Sequence, residues 1–125
     1  MQPLLFGWGA HGADLLVHEA TFSTEEAERA LETGHSTARG AAELAARAEV
    51  KLLALTHISQ RYAGRELRDE AREVFANTIV PRDFDRVELP FPERGEPVHL
   101  RWREEATGQR PQATDPALDK AESEC

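Results

Sequence analysis

Apolar positions switch between a short-run period and a helical period along the chain, and the switches mark out the elements. Residues 13–17 form a short apolar run through Leu15, Leu16 and Val17 that ends at the polar pair His18-Glu19, which predicts a strand with polar groups at its end. Ser23 and Glu26 then stand at capping-box spacing, ahead of a short helix with Ala27, Ala30 and Leu31 on one side and Gly34 closing it. His35 lies in the bend. Ser36 or Thr37 caps a second helix running to about Glu49, whose Ala38, Ala41, Ala42, Ala45 and Ala48 follow helical spacing and permit close approach to a sheet. Residues 50–55 are almost continuously apolar, as in a strand covered on both faces, and end at Thr56-His57.

Beyond a loop containing Arg61, Tyr62 and Gly64, a third helix is expected over about 65–76. Leu67, Ala71, Val74 and Phe75 form its apolar stripe, and Asn77 stops it. Val87, Leu89 and Phe91 alternate with polar residues, as do Val98, Leu100 and Trp102, and a Pro- and Gly-containing turn separates the two runs. That pattern predicts two strands and a hairpin. Residues 105–125 are acidic, poor in large apolar groups and without period, so a disordered acidic tail is expected.

Two strands joined by a helical connection make a parallel β-α-β unit, and functional residues in such sheets gather at the carboxyl ends of the strands. His18-Glu19 and Thr56-His57 occupy those ends, with the His35 bend between them in sequence. Taken singly, Glu19 reads as a solvated strand-end carboxylate, His35 as a bend residue, and His57 as a hydrogen-bonded histidine. Convergence of all three is what would turn them into a site.

Composition narrows the picture. With 125 residues the chain holds one domain of ordinary size, and a core this small is marginal unless a partner covers part of it. The net charge of −8 argues against nucleic-acid binding through the overall field, although a local basic groove or a separate arm is not excluded. The single cysteine, Cys125, permits neither an internal disulfide nor a cysteine-based zinc site, and points to a reducing cytoplasm. No run approaches membrane-span length, so no membrane partner is expected.

The motifs go further. The segment 13–22, ending in His18-Glu19-Ala20-Thr21-Phe22, resembles the ribonuclease Z stretch that ends in His-Glu-Ala-Thr. His35-Ser36-Thr37 resembles that family's His-Ser-Thr motif, and residues 55–62, with Thr56-His57, resemble the strand end that supplies its last metal-binding histidine. Glu70-Ala71, Phe75 and Asn77-Thr78 also fit. These elements stand in the family's order over roughly residues 13 to 91. The resemblance implies the C-terminal half of a metallo-β-lactamase αββα sandwich, an α/β fold with a partly parallel sheet flanked by helices. It implies a zinc-dependent endonuclease trimming tRNA 3′ ends, with precursor tRNA as substrate and two zinc ions as cofactor. His57 would ligate one zinc, Glu19 and His35 would form a proton relay, and Arg61 would neutralise an RNA phosphate. His18 would be structural, its side alternating with that of Glu19.

The chain departs from the family pattern in one decisive respect. The two-metal centre is built mainly from a His-x-His-x-Asp-His motif, a further histidine and an aspartate expected just upstream of residue 13. None is present: the histidines are His11, His18, His35, His57 and His99, and residues 4–12 carry no acidic group. A catalytic zinc takes about three protein ligands, and a bridged pair takes more. The expectation is therefore an atypical segment over 1–12, a partial domain over 13–104 and the tail over 105–125, forming a truncated protein inactive by itself. One sheet face should lack its partner, which predicts either a homodimer or pairing with a missing N-terminal half. The alternatives are a non-catalytic half-domain that binds a partner or itself, and a different hydrolase of the same fold.

Overall fold

The computed structural model of the chain describes residues 9–102. The expected tail, and all but the last residues of the expected N-terminal segment, lie outside that range. The chain divides into two compact units, Met1–Val80 and Pro81–Cys125.

The first unit is built on three parallel strands in spatial order β1-β2-β3: β1 (Leu15–Glu19), β2 (Leu52–Thr56) and β3 (Thr78–Ile79). Leu15 pairs with Leu52 and the register runs on to Glu19 opposite Thr56, so the two long strands end level. Between them come α1 (Ala27–Thr33), preceded by a 3₁₀ turn at Thr24–Glu26, and α2 (Ala38–Ala48). Helix α3 (Gly64–Arg72) connects β2 to β3. A parallel sheet flanked by helices is the architecture expected.

Helix α2 lies against the sheet through alanines. Ala38, Ala41, Ala42, Ala45 and Ala48 are at most 1% exposed and share one core with Leu53 and Leu55 of β2 and Leu67 and Ala71 of α3. A face of methyl groups lets a helix approach a sheet more closely than leucines would, and an interior packed to crystal-like density leaves little room for more. Thr37 caps the helix, its Oγ1 accepting the Gly40 N–H at 3.0 Å.

Alternation puts Leu15, Val17, Leu52, Ala54 and Ile79 on the other side of the sheet. The expectation of a bare second face holds only in part. Leu52, Ala54 and Ile79 are buried, whereas Val17 on edge strand β1 is 59% exposed.

Three local expectations are corrected. Ser23 precedes the 3₁₀ turn but makes no capping bond; its hydroxyl donates to the Tyr62 phenol oxygen at 3.4 Å. Helix α3 stops at Arg72, not Ala76. The Val74 and Phe75 amides both turn back to the Ala71 carbonyl, and the chain then opens into β3, which the apolar pattern did not reveal. Asn77 anchors that turn by donating from its side chain to the Lys51 carbonyl and accepting the Leu53 N–H at its own carbonyl.

The second unit holds the expected hairpin, shorter than its pattern. Strands β4 (Arg86–Glu88) and β5 (Val98–Leu100) pair antiparallel with Val87 opposite His99, joined through a 3₁₀ turn at Pro92–Arg94. Pro90 and Pro92 have no N–H for a ladder, which ends β4 before Phe91. The Trp102 amide is diverted to Asp85 Oδ1 at 2.9 Å, which ends β5. Asp85 also accepts the Arg82 N–H at 2.9 Å and meets His99 Nε2 at 2.8 Å, with both side chains at most 4% exposed. Burial pushes the Asp85 carboxyl up, but these backbone and histidine hydrogen bonds outweigh it and hold it below its ordinary value.

The alanine face makes a direct prediction. Ala45→Leu, at a position with no exposed surface, should overpack the helix–sheet contact and cost about 1–3 kcal/mol. A lower urea midpoint at unchanged m-value is the expected reading, and an unchanged midpoint would show that the contact is loose.

Candidate metal and proton-transfer site

The level ends of β1 and β2 decide where the chemistry collects. Beyond Glu19 the ladder continues for one more bond, from the Ala20 N–H to the Thr56 carbonyl at 2.9 Å. The chain then carries Thr21 across the end of β2, where the Ser59 N–H donates to the Thr21 carbonyl at 3.2 Å.

His35 arrives from the other side. Gly34 closes α1 in the left-handed conformation at φ 72°, which glycine adopts without steric cost, and its N–H turns back to the Leu31 carbonyl. The His35 N–H reaches the Ala30 carbonyl at 2.8 Å, completing a Schellman closure that sets the histidine immediately past the helix. Phe22 and Thr37 form a parallel bridge, which ties this bend to the segment carrying Thr21. His57 follows β2 at φ 54°, a left-handed backbone that is uncommon for a residue with a Cβ and that turns the chain at the strand end.

The three side chains named from sequence do meet. Glu19 Oε2 and His35 Nδ1 are 3.6 Å apart, and the His35 and His57 rings stack with centroids 5.3 Å apart at 26°. One ligand atom from each of Glu19, His35 and His57 lies within 4.8 Å of the others, close enough that the three could hold a metal ion. The sequence did not single out Thr21 as a site residue, yet it stands at the point of convergence. Its Oγ1 is 2.8 Å from Glu19 Oε2, 2.9 Å from His57 Nδ1 and 3.2 Å from His35 Nδ1. Thr21 stands beside Glu19 in the quoted motif, and a hydroxyl two residues past a strand-end carboxylate was the signal available.

Glu19 is held as a carboxylate. Burial raises its pKa, but bonds from the Thr21 and Ser36 side chains and backbone amides outweigh that and bring the group below its ordinary value of 4.5. An ionised carboxylate beside His35 can orient the ring and stabilise its charged form.

The remaining candidates lie apart from this cluster. Arg61 is exposed, and its Nη1 pairs with Glu26 Oε1 at 3.1 Å. Exposed pairs of this kind contribute little to stability, so the guanidinium is lightly held. His18 Nδ1 meets its neighbour's carbonyl, that of Glu19, at 2.8 Å, as a structural residue would. His11 is exposed and faces Glu49 at 4.0 Å. Glu19, His35 and His57 are the one group of potential ligands found among the described residues.

No family model matches the chain. It is 57% identical over 86 residues to a ribonuclease Z of Gemmatimonas aurantiaca, covering 67% of this chain and 27% of that protein. A ribonuclease Z of Natronomonas pharaonis is 51% identical over 87 residues, covering 67% and 28%. The chain thus spans less than a third of the length of these curated relatives. Among solved structures, the short form of human tRNase Z aligns at a TM-score of 0.55 and 34% identity, over 68% of this chain and 28% of that one. The metallo-β-lactamase-fold protein YhfI of Bacillus subtilis aligns at 0.56 and 29%, over 61% and 31%. The fold is therefore that of a metallo-β-lactamase segment, and the partial coverage fits a C-terminal part.

Because the bound Glu19 sits below its unfolded pKa, its contribution to stability is fully present above about 4.5 and is lost as pH falls through the folded value. Glu19→Gln should cost about 1–3 kcal/mol at neutral pH, by weakening charge-assisted bonds, and should flatten the decline in stability on acidification. Urea midpoints measured from pH about 7 down to about 3 check both. Parallel wild-type and variant curves would mean that Glu19 carries no such linkage.

Proposed function

We propose that this chain, a ribonuclease Z-like segment of the metallo-β-lactamase fold, supplies the proton-handling residues and one metal ligand of a zinc-dependent tRNA 3′-processing endonuclease. The convergence of Glu19, His35 and His57 at the ends of two parallel strands carries the reading. The relatives named ribonuclease Z support it, as does the order of the three motifs.

In this reading His35 hands a proton to the leaving RNA oxygen, while Glu19, 3.6 Å away, stabilises the charged ring. His57 offers one imidazole nitrogen to a zinc, and Arg61 exchanges its exposed partner Glu26 for a phosphate. Zinc, when bound in such sites, lowers the pKa of a water and neutralises phosphate charge. The donors among the described residues do not fit a two-zinc centre. They are three, they surround a threonine hydroxyl, and two of them are the proposed proton relay. No step through metal is assigned to this chain, and a partner would bring the remaining ligands. An N-terminal half of the same fold is the partner proposed to bring them.

The acidic balance agrees with a division of labour. A chain of net charge −8 has no long-range attraction for RNA, so substrate affinity would come from the partner.

The test is to purify the chain, measure zinc by elemental analysis and incubate the same sample with a precursor tRNA. Substoichiometric zinc and no cleavage are expected for the chain alone, with cleavage after the discriminator base once the complementary half is added. Two zinc ions per chain with cleavage in its absence would overturn the ligand count. No cleavage in either sample, with a complex demonstrably formed, would favour the non-catalytic reading.

A further inference from the structure

We infer that Thr21 is a positioning residue that fixes the tautomer of both site histidines, holding His35 and His57 with the proton on Nδ1 and the lone pair on Nε2.

A threonine hydroxyl has one hydrogen and two acceptor lone pairs. Four polar atoms lie within hydrogen-bond distance of Thr21 Oγ1: Glu19 Oε2 at 2.8 Å, His57 Nδ1 at 2.9 Å, the His57 carbonyl at 3.0 Å and His35 Nδ1 at 3.2 Å. Two of these can only accept. The carbonyl has no hydrogen, and Glu19 has both oxygens occupied as acceptors, Oε1 from the Ser36 N–H and Oε2 from the Thr21 N–H at 3.1 Å.

Were the hydroxyl proton aimed at either imidazole, Oγ1 would face two bare acceptors at 2.8 and 3.0 Å, with oxygen against oxygen and no hydrogen between. Aimed at Glu19, it makes a short charge-assisted bond, with the His57 carbonyl as the weaker arm of a bifurcated pair. The two lone pairs of Oγ1 are then left for the two ring nitrogens, and each contact is attractive only if that nitrogen bears hydrogen. One arrangement satisfies all four contacts, and it sets both rings.

The consequence lies on the far side of the rings. With each Nδ1 turned to Thr21 and the ring planes within 26° of parallel, both Nε2 atoms point away from the hydroxyl with their lone pairs available. Histidines that take a metal or pass a proton through one nitrogen are commonly set by the bond the other nitrogen makes. The tautomer assignment stands on this chain's own hydrogen bonds. Its value to a metal at His57, or to proton transfer at His35, where the bare Nε2 first takes up a proton from water and then hands it to the leaving oxygen, rests on the function proposed above.

The experiment reads the tautomers directly. Long-range ¹H–¹⁵N correlation spectra of the uniformly ¹⁵N-labelled full chain would be recorded over a rising pH series until the ring nitrogen shifts stop moving, and the neutral rings are read there. Wild type is expected to show protonated Nδ1 and bare Nε2 at His35 and His57, with Thr21→Ser the same. Thr21→Val, nearly isosteric at a buried position, should move both rings toward the Nε2-protonated form. Nε2–H at either ring in wild type, or Nδ1–H kept unchanged in a folded Thr21→Val, would overturn the inference. Should the valine variant not fold, the wild-type and serine spectra decide the matter by themselves. Expected tautomers in a chain and partner that bind no zinc would sink the proposed function and leave this inference standing; Nε2–H rings in an active complex would do the reverse.

Discussion

The parallel register that pairs Glu19 with Thr56 is the constraint from which the site follows. Because β1 and β2 end level, the residues just past them, Thr21 and His57, leave the sheet side by side. A shift of one residue would turn Glu19 to the opposite face and break every contact to it, since side chains alternate along a strand. The register is in turn held by burial. Leu53 and Leu55 face the alanine side of α2, and a slipped strand would exchange them for Ala54 and Thr56. The core thus specifies the position of a polar cluster that contributes little apolar area of its own.

Much of this was legible in the sequence, and the exceptions have physical causes. The two long strands, the alanine helix and its Thr37 cap, the glycine closing α1 and the hairpin all follow from local pattern, because each is decided by neighbours within a few residues. The failures are where a distant partner took over. Ser23 had the spacing of a capping box, but Tyr62, far along the chain, claims its hydroxyl. Strand β3 is two residues long, with Thr78 holding a fully buried place in it. No periodicity can announce an element that short. Val74 and Phe75 matched a helical stripe and do pack on the core, but from beyond the helix end. Apolar period reports burial, and burial alone does not distinguish a helix from the turn that follows it.

The site shows the same division. Glu19, His35 and His57 were named from motifs and strand ends, and the structure brings them together. Thr21 was passed over, because threonine beside a chemical residue is common and its importance lies in geometry across three segments. Motif reading finds groups that can do chemistry by themselves. A hydroxyl that only arranges other groups becomes visible when four distances are known at once.

Hydrogen bonding is what lets this cluster sit partly buried at the strand ends. The carboxylate is partly desolvated, yet it accepts hydrogen bonds from the Thr21 N–H and hydroxyl and from the Ser36 N–H, and the two rings are gathered at one hydroxyl. An isolated buried carboxylate would be costly and would drift toward its neutral form; the same group with its acceptor sites filled is a stable part of the fold. Hydrogen bonds from within the chain thus hold the cluster in place. The whole arrangement is built within a chain spanning under a third of its relatives' length.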